Sequence, residues 1–83
     1  MIPQATLDSL DRYVNHKLMP GSFLTAVLSN DLFGAVGRAD GENLAALPDL
    51  VKYIYNNVPS AAWGSRDAVW RYIEDKFYAN LGE

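Results

Sequence analysis

The chain has 83 residues, 49% of them hydrophobic and 20% charged, with Lys plus Arg at 7, Asp plus Glu at 10 and a net charge of −3. That length suits a single domain over residues 1–83, and the apolar content is too high for a disordered chain. No cysteine is present, which excludes disulfide frameworks, thiolate metal centres and cysteine nucleophiles.

Helical periodicity dominates, and no alternating strand pattern stands out. The spacing predicts a first helix from about Pro3 to Lys17. Proline suits the first turn, where its missing N–H has no partner to lose. Leu7, Leu10 and Val14 fall on one face, with Leu18 close behind, and Asp8 and Arg12 stand four apart as an ion pair. Met19-Pro20-Gly21 ends the segment. Ser22 is the expected N-cap of a short second helix to about Ser29, with Phe23, Leu24, Val27 and Leu28 as its buried stripe. Asn30 and Asp31 break that helix, and Asp31 caps a third helical piece from Leu32 to Val36. There Leu32, Ala35 and Val36 share a face, and Gly37 suits a left-handed C′ position.

Asp40 is the natural N-cap of a longer helix, with Glu42 complementing the dipole in its first turn. Leu44, Leu47, Val51, Ile54 and Val58 recur at helical spacings, with Leu50 widening the stripe. The pattern keeps its phase through Pro48, so one kinked helix from about Gly41 to Asn56 is expected. Asn56-Asn57-Val58-Pro59-Ser60 closes it. Ser65 caps the last helix, with Asp67 in its first turn and Val69, Trp70, Ile73, Phe77 and Leu81 as its buried face. Arg71 and Asp75 stand four apart on the wet side, and Trp63 is placed to fold back over the first turn. An all-α fold follows: a compact bundle of four helices plus one short helical piece.

The N-terminal residues have neither a basic nor an apolar stretch, so no signal peptide is expected, and no apolar run approaches the ~20 residues of a membrane span. Together with the lack of cysteine this points to a cytoplasmic protein. A pI of about 4.9 and scattered basic residues argue against non-specific nucleic-acid binding. The alternative of a small nucleic-acid-associated regulator would place Arg38, Arg66, Arg71 and Lys76 on phosphates. Residues 22–37 have helix lengths suited to a helix-turn-helix, but the second piece offers no basic or amide side chains for base edges.

Catalytic constellations are sparse. His16 is the only histidine, and at a helix end it complements the dipole. Asp31, Asp40 and Glu42 could approach one another as an acid–base or divalent-metal cluster, but capping accounts for them. Gly34, Gly37 and Gly41 match no phosphate-loop fingerprint. No catalytic residue, metal ligand or cofactor is therefore expected. Aromatic residues are the surplus: Tyr13, Phe23, Phe33, Tyr53, Tyr55, Trp63, Trp70, Tyr72, Phe77 and Tyr78 exceed what a small core readily hides. Tyr53 and Tyr72 point away from the apolar stripes of their helices and Tyr55 flanks one. With Trp63 they are the candidate protein-interface residues, since exposed Tyr and Trp are enriched at interfaces.

The segments Gly21-Ser22-Phe23-Leu24-Thr25-Ala26-Val27-Leu28-Ser29-Asn30-Asp31-Leu32, Gly37-Arg38-Ala39-Asp40, Tyr53-Ile54-Tyr55-Asn56 and Trp63-Gly64-Ser65 form a pattern. It resembles small proteins of uncharacterised activity encoded by tailed bacteriophages and prophages. The resemblance implies a compact accessory protein in the bacterial cytoplasm and supplies no catalytic residue. The expected function is non-enzymatic binding to a host bacterial protein, modulating or inhibiting it. Self-association into a homodimer is compatible with that role.

Overall fold

The computed structural model describes the backbone of residues 1–81 and the side chains of residues 1–75. The helices run α1 (Gln4–His16), α2 (Ser22–Leu28), α3 (Leu32–Arg38), α4 (Gly41–Asn57) and α5 (Arg66–Leu81), with a short 3-10 turn at Ser60–Ala62 before the last. The fold is all-α, 76% helical, with no strand among the described residues.

Local chemistry explains most boundaries. Asp31 and Asp40 accept the backbone N–H of Gly34 and Asn43 at 2.9 and 2.8 Å, and Ser65 Oγ accepts that of Ala68 at 3.0 Å. Each satisfies an amide that the first turn of a helix leaves without a partner. Ser22, by contrast, is the first residue of α2, and Gly21 precedes it with no side-chain cap. Lys17 closes α1 in the left-handed conformation, φ 55°, and Asn30 does so after α2 at φ 62°. Asparagine tolerates that region better than most residues. α4 runs unbroken through Pro48, although the proline gives no N–H to the carbonyl of Leu44.

The core gathers Leu10 and Tyr13 of α1, Leu24 and Leu28 of α2, Leu50 and Ile54 of α4, Val58, Ala62, and Val69 of α5. α3 contributes nothing to this cluster. Its one buried residue is Ala35, while Leu32, Phe33 and Val36 stay exposed. The expected shared face of Leu32, Ala35 and Val36 is thus mostly open, because seven residues lying beside α2 reach too little of the core to hide three large side chains.

α4 departs from expectation in the same way. Ala46, Leu50 and Ile54 are buried, whereas Leu44 and Val51 are exposed. The inward face is turned from the expected stripe by most of a quarter turn, at about 100° per residue. The reason lies at its first turn. Thr6, itself buried, donates its hydroxyl to Asn43 Oδ1 at 2.6 Å. That bond aims the Asn43–Ala46–Leu50 side inward. On α2, Leu24, Ala26 and Leu28 are buried while Phe23 and Val27 are half-buried. On α1, Tyr13 takes the central place, and Leu18, just beyond the helix, is exposed.

Tyr13 ties distant segments together. Its hydroxyl donates to the carbonyl of Ala62 at 2.7 Å, and its ring lies 5.2 Å from that of Tyr72. Tyr72 donates in turn to the carbonyl of Val14, while Lys17 Nζ sits 3.5 Å from the Tyr72 ring centre. Burial, with a smaller effect of neighbouring Tyr72, pushes the Tyr13 phenol well above its usual value near 10. Two expected ion pairs are replaced. Asp8 accepts from Gln4 Nε2 at 2.9 Å rather than pairing with Arg12, and Asp75 meets Lys17 at 3.5 Å rather than Arg71. Trp70, expected inside, is 45% exposed. The side chains of Lys76, Phe77, Tyr78 and Leu81 lie outside the described residues.

Candidate functional site

The exposed face of α4 does not meet open solvent alone. The end of α2 and the first turn of α3 stand beside it, and between them runs an apolar groove of about 460 Å³. Val27, Leu32 and Ala35 line one side; Leu47, Pro48 and Val51 line the other. Asp31 and Lys52 supply its charged rim. Val27, Asn30 and Val51 also line a second hollow of about 320 Å³, which extends past Ile54 to Tyr55 and Trp63. The two hollows therefore adjoin across these three residues. Leu32, on its wall, is 64% exposed, and Phe33, the next residue of α3, is 89% exposed.

Each wall has a local cause. Asn30 in the left-handed conformation turns the chain from α2 into α3, and the backbone N–H of Asp31 bonds the carbonyl of Ala26 at 2.8 Å to lock the corner. Asp31 then starts α3 as its cap. At the far end, Gly64 donates its N–H to the carbonyl of Leu28 at 2.8 Å. It does so at φ +112°, where a side chain is strained. This pins the Trp63 loop against α2. Trp63 donates Nε1–H to the carbonyl of Val58 at 3.1 Å, and its ring stands 5.8 Å from that of Tyr55.

No protein-family model matches this chain, and neither a curated protein nor a solved structure does. Its functional reading therefore rests on residues and geometry.

The interface candidates separate into different places. Tyr55 and Trp63 come together at one end of the groove. Tyr53 is exposed but lines a separate hollow with Leu7, Asp11 and Val14 of α1. Tyr72 is turned inward, half-buried and hydrogen-bonded to α1, so the expectation that it points outward is corrected. The groove residues Leu32, Leu47, Pro48 and Val51 were not among the candidates, because periodicity placed the aliphatic ones inside. Composition gave no signal for them, since 49% hydrophobic residues is ordinary for a globular domain.

Among the basic residues, Arg38 and Arg66 line one cleft with Trp70. Arg71 is exposed on α5 outside that cleft, and the side chain of Lys76 is not described. The carboxylates do not converge. Asp31 and Asp40 cap separate helices and Glu42 lies in the first turn of α4. No group of three metal-ligating side chains occurs among the described residues. His16 is exposed in the last turn of α1.

Proposed function

We propose that the chain is a non-enzymatic binding module, an accessory protein of phage type. Its groove between α2, α3 and α4 takes the apolar face of a helix from a host bacterial protein. The observation that carries this reading is the pair of adjoining, mainly apolar hollows that run from Pro48 and Leu32 to Tyr55 and Trp63. A helix laid in such a groove buries residues at i, i+3, i+4 and i+7. The rim specifies the partner's charges. Lys52 makes no ion pair among the described residues and calls for an acidic residue. Asp31 is only loosely held by Arg38 at 3.9 Å and accepts a cation. The bacterial and cytoplasmic setting comes from the resemblance alone.

The test is capture of a partner from nuclease-treated bacterial lysate, repeated with Val51→Asp and Leu32→Asp. Both positions are at least half exposed, so helicity should persist while the partner is lost. Retention of the same partner by both variants would falsify the groove assignment. Tyr55→Ala should weaken capture and Tyr72→Ala should act only through stability.

A second reading, a small nucleic-acid-associated regulator, is favoured by the meeting of Arg38 and Arg66 in one cleft. Binding of a duplex or single strand that falls steeply with added salt supports it, and no binding at low salt removes it.

A further inference from the structure

A second cleft, of about 660 Å³, touches the groove only at Asp31. Its size is that of a small-molecule site, typically about 300–1,000 Å³. In a chain of net charge −3, this cleft collects two guanidiniums, Arg38 and Arg66, against the single carboxylate of Asp31.

Both arginines are held in ways that leave donors unspent. Arg38 folds back along α3 over Gly34, where an added Cβ would collide with its guanidinium and with the Asp31 carboxylate. The Asp31–Arg38 contact is 3.9 Å long, and Asp31 Oδ1 is already engaged by the Gly34 amide. Arg66 is the first residue of α5, where the helix dipole disfavours a cation. It makes no ion pair among the described residues. A cation placed against its own helix dipole is relieved by an anion from outside.

Trp70 stands four residues beyond Arg66 on the same helix, so the two side chains share a face. Its indole is 45% exposed and lines the same cleft as the two guanidiniums. Ser29 and Thr25 of the α2 side also line the cleft. Arginine forks match phosphate oxygens in paired hydrogen bonds, and an exposed indole stacks on a flat ring.

We propose that this cleft binds a phosphate ester carried on a flat ring, a single nucleotide unit, with Arg38 and Arg66 on the phosphate and Trp70 against the ring. The site does not depend on the protein-binding groove. The unit can come from a free nucleotide or from one residue of a single strand.

The test is titration of the full chain with adenosine monophosphate, adenosine, inorganic phosphate and a short oligoadenylate. The readouts are the Trp70 indole and arginine side-chain N–H resonances. Adenosine monophosphate is expected to shift Trp70, Arg38 and Arg66 together, with adenosine and phosphate each at least about tenfold weaker. Arg66→Gln and Arg38→Gln should each weaken it about tenfold at unchanged helicity, with Arg66→Lys intermediate because it keeps the charge and loses the fork. Millimolar adenosine monophosphate leaving these resonances in place, or binding Arg66→Gln as it binds the wild type, overturns the proposal. Inorganic phosphate matching the nucleotide overturns the role of Trp70. Oligoadenylate affinity no greater than its nucleotide count explains assigns the site to a free nucleotide; a larger gain assigns it to a strand. Val51→Asp should leave all these titrations unchanged.

Discussion

Along α4, Ala46, Leu50 and Ile54 lie buried against the rest of the core, while Leu44, Val51 and Tyr55 on the same helix remain exposed. Both faces are apolar, and by side-chain size the outward one is the more hydrophobic at its N-terminal end. The difference comes from the neighbours. On the inner side α1 supplies Leu10, Tyr13 and the Thr6–Asn43 hydrogen bond. On the outer side α2 brings Val27 and α3 brings Leu32 and Ala35 to the edge of the groove, and its middle stays open. A helix can thus carry one stripe that stabilises the fold and a second that remains available for a partner.

The largest test of this contrast is a pair of truncations one residue apart. Leu50→Ala should cost about 2–5 kcal/mol, as expected for deleting a fully buried leucine. Val51→Ala should stay within roughly 0.5 kcal/mol. Chemical denaturation checks both, and equal losses would mean that Val51 is covered in solution.

The tyrosines repeat the contrast with chemistry in place of volume. Tyr13→Phe leaves the Ala62 carbonyl without its donor and should cost about 1–3 kcal/mol at neutral pH, whereas Tyr55→Phe should be nearly neutral. The Tyr13 phenol ionises near 10 when unfolded and higher when folded. Its contribution is therefore complete below about pH 10 and is lost above it, at about 1.4 kcal/mol per pH unit. Tyr13→Phe should flatten that alkaline decline, which denaturation midpoints across the range would show.

Two smaller changes probe the groove wall. Asp31→Ala removes the cap of α3 and should cost about 1 kcal/mol; because α3 lies outside the core, its amides should lose hydrogen-exchange protection before those of α4. Asn30→Gly, at φ 62°, relieves a left-handed conformation and should change stability by only a few tenths of a kcal/mol. A large loss there would show that the Asn30 side chain itself supports the groove.

The helices and their caps could be read from the chain because the chemistry is local. Asp31, Asp40 and Ser65 announce helix starts by hydrogen bonds to amides three residues away, and the phase kept through Pro48 predicted one helix where one is found. The candidate site was only half legible. Tyr55 and Trp63 were identified from an excess of aromatic residues, and they do meet at one end of the groove. Tyr72 was misplaced because the pull that turns it inward comes from Val14 and Tyr13, far away in sequence. Leu32 and Val51 were assigned to the core because periodicity finds apolar faces and cannot tell which face has a neighbour.

What the sequence by itself determined is the all-α class, the order of its helices and the caps at Asp31, Asp40 and Ser65, though not the cap of α2 nor the end of α3, where Gly37 lies inside the helix. All are consequences of short-range hydrogen bonding and 3.6-residue periodicity. What only the tertiary structure decided is which apolar face of α4 is enclosed, where Tyr13 anchors, and which residues border the groove and the arginine cleft. Those outcomes depend on contacts such as Thr6 with Asn43, Tyr13 with Ala62 and Gly64 with Leu28. They join segments that no local pattern relates, and packing resolves them only when the whole chain competes for one small core.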